Sequence, residues 1–564
     1  MKADLSPRSK LKIQLHFILT IILLVHALFY LVYWFSVRNL WKDVDLFIEN
    51  FSRLTLPYIT IVIFLTVGIG IWSLFRFVSI GLAIRNTEWK PSKFNWIYFG
   101  VWITFLTLFY ISFLLILKEN PSQRGVLYQL LNLVRVVTDP LLFLIGAIWL
   151  RRNILTFRNR ARKAQKRWIW GVGIGLILIL MLGLWLLPAI FPPNWAYQGD
   201  LPAKPALIAH RGASMLAPEN TIAAAELAAE YDAFGFETDV RISLDGVPFL
   251  MHDDTLRRTT NILEVYPDRT DEDASNFAMD ELYALNAGLW FIQKDPFDTI
   301  ESGLISQAQL SVNQGQKIPT LSQALGLVDD EKMVILFDLR YPPQDHPFYD
   351  QFFDIVFDLC KESGLNGDVW LLVDRRNIEK VLAEAPQMTR VSGVSSTDLP
   401  DPDELIALNY EIVNVDAGIL KDAILGYRQK GLGVNVYTID QPWLFSQFWL
   451  SGVTSITTNN IHTLSQLDEP ILNLPYSRFL IFWGLFGIIV AIWIASSQPK
   501  IKTVPQELGE KEPPDLLNFA MEEESKTDGI NETDAGSEKD MSTRDRVEKN
   551  DWLEVELSGE EQKE

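Results

Sequence analysis

The sequence predicts an α-helical membrane bundle of about six spans, joined to an α/β domain of the (β/α)8 type and ending in a disordered tail. Three observations support this prediction. Apolar runs of membrane-spanning length cluster before residue 192 and recur near residue 480. The roughly 285 residues between them have a globular composition, with short β-rich runs that alternate with helical patterns. The final residues are acidic and poor in aromatic side chains.

Six apolar runs reach the roughly 20 residues that a helix needs to cross the hydrocarbon layer. The predicted spans are Ile13–Phe35, Leu56–Ile84, Trp96–Leu117, Leu127–Leu150, Trp168–Phe191 and Phe479–Ser496. The first run is too long for a signal peptide and lacks a small-residue cleavage pattern, so we expect it to stay in the membrane. The predicted division of the chain is an N-terminus (1–12), five spans (13–191), a linker (192–204), a barrel (205–468), a sixth span (479–496) and a tail (497–564).

The positions of lysine and arginine predict the orientation of the spans. Eight of these residues lie between residues 151 and 167, and others lie at the N-terminus and between residues 85 and 93. Basic flanks stay in the cytoplasm, and all three clusters fall on one side if six spans are present. We therefore expect a multi-pass plasma-membrane protein with both termini cytoplasmic and the domain 205–468 extracellular.

Arg135 and Asp139 lie within the fourth predicted span, four residues apart. A helix places them on one face, where they either pair to hold helices together or line a transport pathway. No repeat of hydropathy between halves of the bundle supports transport, so the packing role is favoured.

Charge and cysteine content limit the partners and the covalent chemistry. The formal net charge is −20, and residues 503–564 contribute most of it, with about 20 acidic and about 7 basic residues. No nucleic-acid partner is expected. The single cysteine, Cys360, excludes an intrachain disulfide and is interpreted as a buried thiol. The sequence does not indicate an oligomeric state.

Eight β-rich runs in the outer domain favour closure into a (β/α)8, or TIM, barrel over an open sheet. They cover residues 205–209, 235–240, 248–252, 333–339, 369–373, 411–415, 433–438 and 454–458. Chemistry in such barrels lies at the carboxyl ends of the strands. The first four runs end in His210-Arg211, Glu237-x-Asp239, His252-Asp253 and Asp338-x-Arg340, which would therefore share one mouth.

These residue types suit chemistry on an anionic phosphodiester. Carboxylates such as Glu237, Asp239 and Asp338 favour a hard cation, magnesium or calcium, which with an arginine would neutralise phosphoryl oxygens. Two histidines, His210 and His252, would remove a proton from the attacking oxygen and return one to the leaving oxygen. A strand-terminal Glu-x-Asp pair alone is more often a solvated edge. The chain has only six histidines, however, and these two lie at predicted strand ends.

The same residues belong to a longer pattern. It comprises His210-Arg211-Gly212, Ala217-Pro218-Glu219-Asn220-Thr221, Glu237-Thr238-Asp239-Val240, Asp245-Gly246, Met251-His252-Asp253, Thr255-Leu256 and Arg258-Thr259-Thr260. In order and spacing this pattern resembles the glycerophosphodiester phosphodiesterase family. The arrangement of spans is similar to six-span animal-type members, which carry the catalytic domain outside the cell.

The resemblance implies that Glu237, Asp239 and Asp338 hold a divalent metal and that His210 and His252 act as general base and acid. Arg211, and with it Arg340, would contact the substrate phosphate. The implied activity is metal-dependent hydrolysis of glycerophosphodiesters or lysophospholipid-type head groups to glycerol 3-phosphate, or a phosphorylated head group, and an alcohol.

One departure from the family pattern concerns Asp338-x-Arg340, where the common motif is Glu-x-Lys. The carboxylate is one methylene shorter and the cation is a planar fork, so the metal preference and the substrate pose can differ from those of the family.

Two alternatives to hydrolysis stay open. The same histidines and metal would serve a phospholipase-D-like lyase that forms a cyclic phosphate. A non-enzymatic sensor or transporter would instead use the barrel only to bind head groups. An insertion at about 255–320 carries Trp290, Phe291 and Phe297, which either line the substrate pocket or only pack the insertion.

Overall fold

The computed structural model describes residues 7–36, 38, 41–52, 54–86, 121–163 and 167–496, together with residues 100, 103, 104, 107 and 110. The predicted disordered tail and most of the third predicted span lie outside the described residues. Five described helices are long and apolar enough to cross a membrane, and they indicate association with one. They contain His16–Phe35, Tyr58–Leu82, Gln123–Asn153, Val172–Ile190 and Tyr476–Ala495.

The elements of the described chain are numbered in order. The N-terminal helices are α1 (Pro7–Ser36), α2 (Trp41–Ser52), α3 (Tyr58–Asn86), α4 (Pro121–Lys163) and α5 (Arg167–Ile190), and the last is α18 (Tyr476–Ala495). The strands are β1 (Ala196–Tyr197), β2 (Ala206–His210), β3 (Gly235–Ile242), β4 (Pro248–Leu250), β5 (Val334–Leu339), β6 (Val369–Leu372), β7 (Thr389–Val394), β8 (Ile412–Asp416), β9 (Gly433–Tyr437), β10 (Ser455–Thr458) and β11 (Leu474–Pro475).

Eight parallel strands close into a barrel, which confirms the predicted fold. The order is β2, β3, β5, β6, β7, β8, β9 and β10, and β10 pairs back onto β2 from Ser455–Ala206 to Thr458–Ala209. Every residue of β3 is buried, as expected for a strand covered on both faces.

Two details of the predicted strand set are wrong. The run 248–252 forms β4, which pairs antiparallel to β3 outside the barrel, while β7 takes the eighth place. Only a short turn separates β3 from β4, and a parallel crossover needs a dozen or more residues. The Asp245-Gly246 dipeptide, with Gly246 at φ +84°, is a hairpin signal that the strand assignment did not use. Strand β7 was not predicted because strands were sought as apolar runs, and the sequence of β7 contains the polar residues Arg390 and Ser392.

Helices surround the barrel and fill the insertion. They are α6 (Ile222–Glu230), α7 (Ile262–Val265), α8 (Met279–Ala284), α9 (Leu289–Lys294), α10 (Gln307–Gln314), α11 (Leu321–Glu331), α12 (Phe352–Ser363), α13 (Ile378–Glu384), α14 (Pro402–Ala407), α15 (Lys421–Gln429), α16 (Pro442–Leu450) and α17 (Ile461–Leu464). Short 3-10 turns occupy Pro267–Arg269, Ala274–Asn276 and Asn366–Asp368. Phe249, Phe277 and Leu282 centre a second hydrophobic cluster, so the insertion packs around its own small core.

Helix α4 connects the apolar bundle to the barrel. It has 43 residues and is about 64 Å long, roughly twice the hydrocarbon thickness. Its first half packs on the barrel at Gly125, where a Cβ would lie 1.9 Å from the carbonyl oxygen of Ala417. Its second half, including Phe143, packs with α18. The helix also continues to Lys163, so the predicted loop after residue 150 is largely helical.

The Arg135–Asp139 pair forms within α4, with 3.0 Å between Nε and Oδ2. Arg135 Nη2 also donates to the carbonyl oxygen of Phe191 at 2.7 Å, just past the end of α5. The pair therefore ties α4 to the segment that leaves α5, which is the packing role favoured from the sequence.

Candidate active site

Four predicted site residues meet at the carboxyl end of neighbouring strands. The strand register pairs His210 with Glu237 and Asp239 with Asp338. Ligand oxygens of Glu237, Asp239 and Asp338 all lie within 4.8 Å of one another. The predicted carboxylate cluster is therefore present as a geometric unit.

The three carboxylates of this cluster repel one another unless a cation lies among them. Burial raises the pKa of Glu237 well above its usual range, and the charge of Asp239 raises it further. Burial also raises the pKa of Asp338, against the lowering effect of Arg340. Three closely spaced carboxylates thus face two guanidinium groups, those of Arg211 and Arg340. An all-oxygen donor set with excess negative charge fits a divalent metal ion.

The guanidinium of Arg340 forms ion pairs with two of the carboxylates. Its Nη2 lies 3.0 Å from Oδ1 of Asp239 and 2.7 Å from Oδ2 of Asp338. Asp239 is fully buried, and its other oxygen accepts a hydrogen bond from Asn220 at 2.9 Å. The planar fork at this position therefore fixes the two aspartates relative to one another, which a lysine ammonium would do less rigidly.

A tight turn after β2 presents His210. Arg211 and Gly212 both have positive φ, at +57° and +81°. A Cβ at Gly212 would lie 2.5 Å from the carbonyl carbon of Ala224, so only glycine fits where the turn packs on α6. The turn also points the Arg211 amide at Oε2 of Glu237, at 3.1 Å.

The hydrogen bonds of Asn459 fix the tautomer of His210. Asn459 Nδ2 donates to Asp440 at 2.9 Å, so its Oδ1 must be the acceptor that faces His210 Nδ1 at 2.8 Å. Ser214 Oγ donates to the same oxygen at 2.8 Å. His210 therefore carries its proton on Nδ1, and Nε2 keeps its lone pair 3.7 Å from Oε2 of Glu237. Burial and the nearby charge of Arg211 lower the pKa of His210, which favours the neutral ring.

His252 reaches the same mouth from the β3–β4 hairpin rather than from a barrel strand. It lies close enough to Asp338 that a positive charge on the ring would oppose the rise in the pKa of that carboxyl. Its Nδ1 lies 2.7 Å from Oδ1 of Asp253. Arg241 is 1% exposed and donates to the carbonyl oxygen of His252 at 3.1 Å, so a buried arginine anchors this loop.

The sequence reasoning did not select the arginine–carboxylate network that surrounds these groups. Glu219 accepts from Arg211 at 2.8 Å and from two nitrogens of Arg258 at 2.7 and 2.8 Å. Arg258 also donates to both oxygens of Asp253 and lies 5.7 Å from the ring centroid of Trp290. Glu219 and Arg258 belong to the quoted family pattern, whereas the pair Asn459 and Asp440 had no local sequence signal.

Replacing Glu219 with glutamine is expected to flatten the acid dependence of stability. Burial alone would raise the pKa of Glu219, but hydrogen bonds from Arg258 and the charge of Arg211 lower it to about 2. The stabilisation, on the order of 3 kcal/mol, is therefore complete above the unfolded pKa of about 4.3 and is lost as pH falls towards about 2. Thermal midpoints of the full chain between pH 7 and pH 2.5 should converge with those of the variant at low pH. Glu226→Gln, on an exposed face of α6, is the control, and parallel curves for Glu219→Gln would contradict the prediction.

Comparison with known proteins gives one family. Residues 210–463 match the sequence model of the glycerophosphoryl diester phosphodiesterase family. Glycerophosphoinositol inositolphosphodiesterase GDPD2 of Mus musculus is 36% identical over 304 residues, covering 54% of this chain and 55% of the relative. Glycerophosphodiester phosphodiesterase domain-containing protein 5 of Homo sapiens is 38% identical over 302 residues, covering 52% of this chain and 49% of the relative. The chain spans about half the length of these curated relatives.

One solved structure with similarity to this chain is that of an Oleispira antarctica phosphodiesterase in complex with the product sn-glycerol-3-phosphate. It has 23% sequence identity and a TM-score of 0.38, and the alignment covers 46% of this chain and 95% of that one.

Proposed function

Residues 210–463 match the glycerophosphodiester phosphodiesterase family, and on this premise we propose that the chain is a member and that its barrel hydrolyses glycerophosphodiesters to glycerol 3-phosphate, or a phosphorylated head group, and an alcohol. The observation that carries the proposal is the carboxylate cluster flanked by two differently held histidines. The mouse relative's name specifies glycerophosphoinositol, which makes that compound the first substrate to test. Lysophospholipid-type head groups are the second class.

Glu237, Asp239 and Asp338 would hold the divalent ion, with magnesium or calcium favoured by the oxygen donors. When bound, such an ion neutralises phosphoryl oxygens and lowers the pKa of an attacking hydroxyl or water. Arg211 and Arg340 would face the substrate phosphate, held in place by their ion pairs with Asp239. A held guanidinium loses less conformational entropy when it binds a phosphate oxygen.

His210 is assigned the role of general base. Its Nε2 carries a lone pair because Nδ1 is hydrogen-bonded to a neutral amide oxygen. The lowered pKa of His210 keeps that lone pair available near neutral pH. The ring would accept a proton from the attacking oxygen at Nε2.

His252 is assigned the role of general acid. A carboxylate, Asp253, faces its Nδ1 and orients the ring, and Nε2 would donate a proton to the leaving alkoxide. Asp253 is itself fixed by Arg258, and Arg241 fixes the loop backbone. The two histidines thus have opposite partners, an amide and a carboxylate, which supports opposite roles.

The proposed location is the outer face of a plasma membrane, with both termini cytoplasmic and with the domain limits given from the sequence. The membrane-long helices and the basic clusters at residues 151–167 and 85–93 support this orientation.

The test is an assay of the full chain in detergent or nanodiscs with glycerophosphoinositol, glycerophosphocholine and a lysophospholipid, each with added magnesium or calcium. Metal-dependent release of glycerol 3-phosphate or a phosphorylated head group from a glycerophosphodiester, or of the corresponding acylated glycerol phosphate or phosphorylated head group from the lysophospholipid, supports the proposal if it is lost in His252→Ala. Phosphorus NMR separates hydrolysis from the lyase alternative, because a cyclic phosphate as the final product would replace hydrolysis in the assignment. No turnover of any substrate with either metal would overturn it.

Asn459→Asp is expected to shift the pH dependence of the reaction. A carboxylate facing Nδ1 of His210 would stabilise the imidazolium and raise the pKa of that ring. The rise of kcat/KM with pH should therefore move to higher pH by about one unit. Asn473→Asp, in the segment between α17 and α18, is the control and should leave the pH dependence of kcat/KM unchanged. An unshifted profile in Asn459→Asp would argue against His210 as the base.

A further inference from the structure

A cavity lies on the outer wall of the barrel, away from the catalytic mouth. Its volume is about 460 Å³, within the size range of small-molecule sites. Its walls come from α4, the segment that leaves α5, and the barrel helices α15 and α16. None of the seven predicted site residues lines it.

The polar part of this cavity contains two cationic side chains. Arg135 and Lys421 line it together with the carboxylate of Asp422, and Arg135 is already paired with Asp139. Burial lowers the pKa of Lys421, against the raising effect of the neighbouring Asp422. An anionic ligand beside this side chain would favour its charged form. Tyr128 and Asn132 add further polar groups to the lining.

The apolar part of the cavity lies where a membrane-long helix ends. Ile190, the last residue of α5, and Phe191 after it line the cavity, and Leu425 and Leu450 line it from the barrel. The end of a spanning helix marks the level of lipid head groups. A ligand in this position would contact both cationic and apolar groups at that level.

We propose that this cavity binds the phosphodiester head group of a membrane glycerophospholipid, at a site separate from the catalytic mouth. The ammonium of Lys421 and the guanidinium of Arg135 would donate to the phosphate oxygens, and the apolar wall would contact the start of the acyl region. Because Arg135 is already paired with Asp139, the ammonium of Lys421 is the main charge that a ligand would meet, and one ammonium matches a phosphodiester, which carries one negative charge, better than a doubly charged free phosphate. Because the walls belong to both the bundle and the barrel, the lipid would also fasten the two together.

The experiment uses the full chain in detergent micelles, titrated with short-chain phosphatidylglycerol and, separately, with inorganic phosphate. Binding and the thermal midpoint are measured for each protein. We expect Lys421→Gln to weaken lipid binding by about tenfold and Lys421→Arg to retain it. Arg135→Gln is expected to weaken binding as well.

Lys430→Gln is the matched control. Lys430 follows the same helix, and its side chain is half exposed and paired with Asp403. Equal lipid affinity in the wild type, Lys421→Gln and Arg135→Gln would overturn the proposal. Equal affinity for lipid and inorganic phosphate would overturn the lipid assignment, since it would identify a site for a free anion. The proposal does not depend on the catalytic assignment, because turnover is not measured.

Discussion

His210→Ala is expected to lower kcat for glycerophosphodiester hydrolysis by about 10³-fold, in the range of a lost general base. The reason is the position of Nε2, which keeps its lone pair beside the carboxylate cluster and faces Oε2 of Glu237 at 3.7 Å. Alanine leaves no group at this position to accept the proton of the attacking oxygen. KM should change less than kcat, because the proposed role of the ring is to act on the attacking oxygen rather than on the bound phosphate.

The measurement is steady-state kinetics of the full chain across pH with saturating metal. The variant should lose the pH dependence that the neutral imidazole imposes on the wild type. His462→Gln provides a matched histidine control, because His462 lies in α17 and makes an edge-to-face contact with Tyr231, outside the mouth. A rate in His210→Ala within a few-fold of the wild type would rule out a catalytic role for this histidine.

Asp338→Asn is expected to lower kcat/KM at limiting metal by about 10²-fold or more, since metal stabilisation of the transition state is worth several kcal/mol. Asp338 contributes one of three carboxylates within 4.8 Å and is the most exposed of them. Its amide would also weaken the ion pair with Arg340 at 2.7 Å. Asp338→Glu restores the longer carboxylate of the common family motif and should retain metal dependence.

A second readout of the same prediction does not use activity. A ligand that binds only the folded state at 100 times its Kd adds about 2.7 kcal/mol to stability, so magnesium or calcium should raise the thermal midpoint of the wild type. Asp338→Asn should lose most of this increase. Asp374→Asn is the control, because Asp374 follows the neighbouring strand β6 and pairs with Arg376 instead. A metal-induced increase that persists in Asp338→Asn would exclude Asp338 as a ligand.

The hairpin that carries His252 shows that reasoning from strand patterns assigned the wrong topology to this segment, although His252 still reaches the mouth. The sequence placed His252 at the end of a barrel strand, and the structure places it after an antiparallel strand outside the barrel. The residue still reaches the mouth because β4 pairs with the end of β3, the strand that carries Glu237 and Asp239. Short-range turn chemistry at Asp245-Gly246 would have corrected the topology.

The network around the histidines shows what a linear reading could not find. Asn459 and Asp440 lie more than 200 residues after His210, and an asparagine after a strand has no distinctive local pattern. Arg241 follows Asp239 by two residues on the same face of β3, so its direction could be predicted. Its partner, the carbonyl oxygen of His252, could not.

The sequence by itself determined the membrane-length helices, the strand–helix alternation of the barrel and the residues of the carboxylate cluster. These depend on local periodicity, length and the carboxyl ends of strands, which are properties of neighbouring residues. Only the tertiary structure decided which strands close the barrel, which nitrogen of His210 carries the proton and that Arg340 bridges Asp239 and Asp338. Those features depend on hydrogen bonds and ion pairs between segments distant in sequence, and their geometry exists only once the chain has folded.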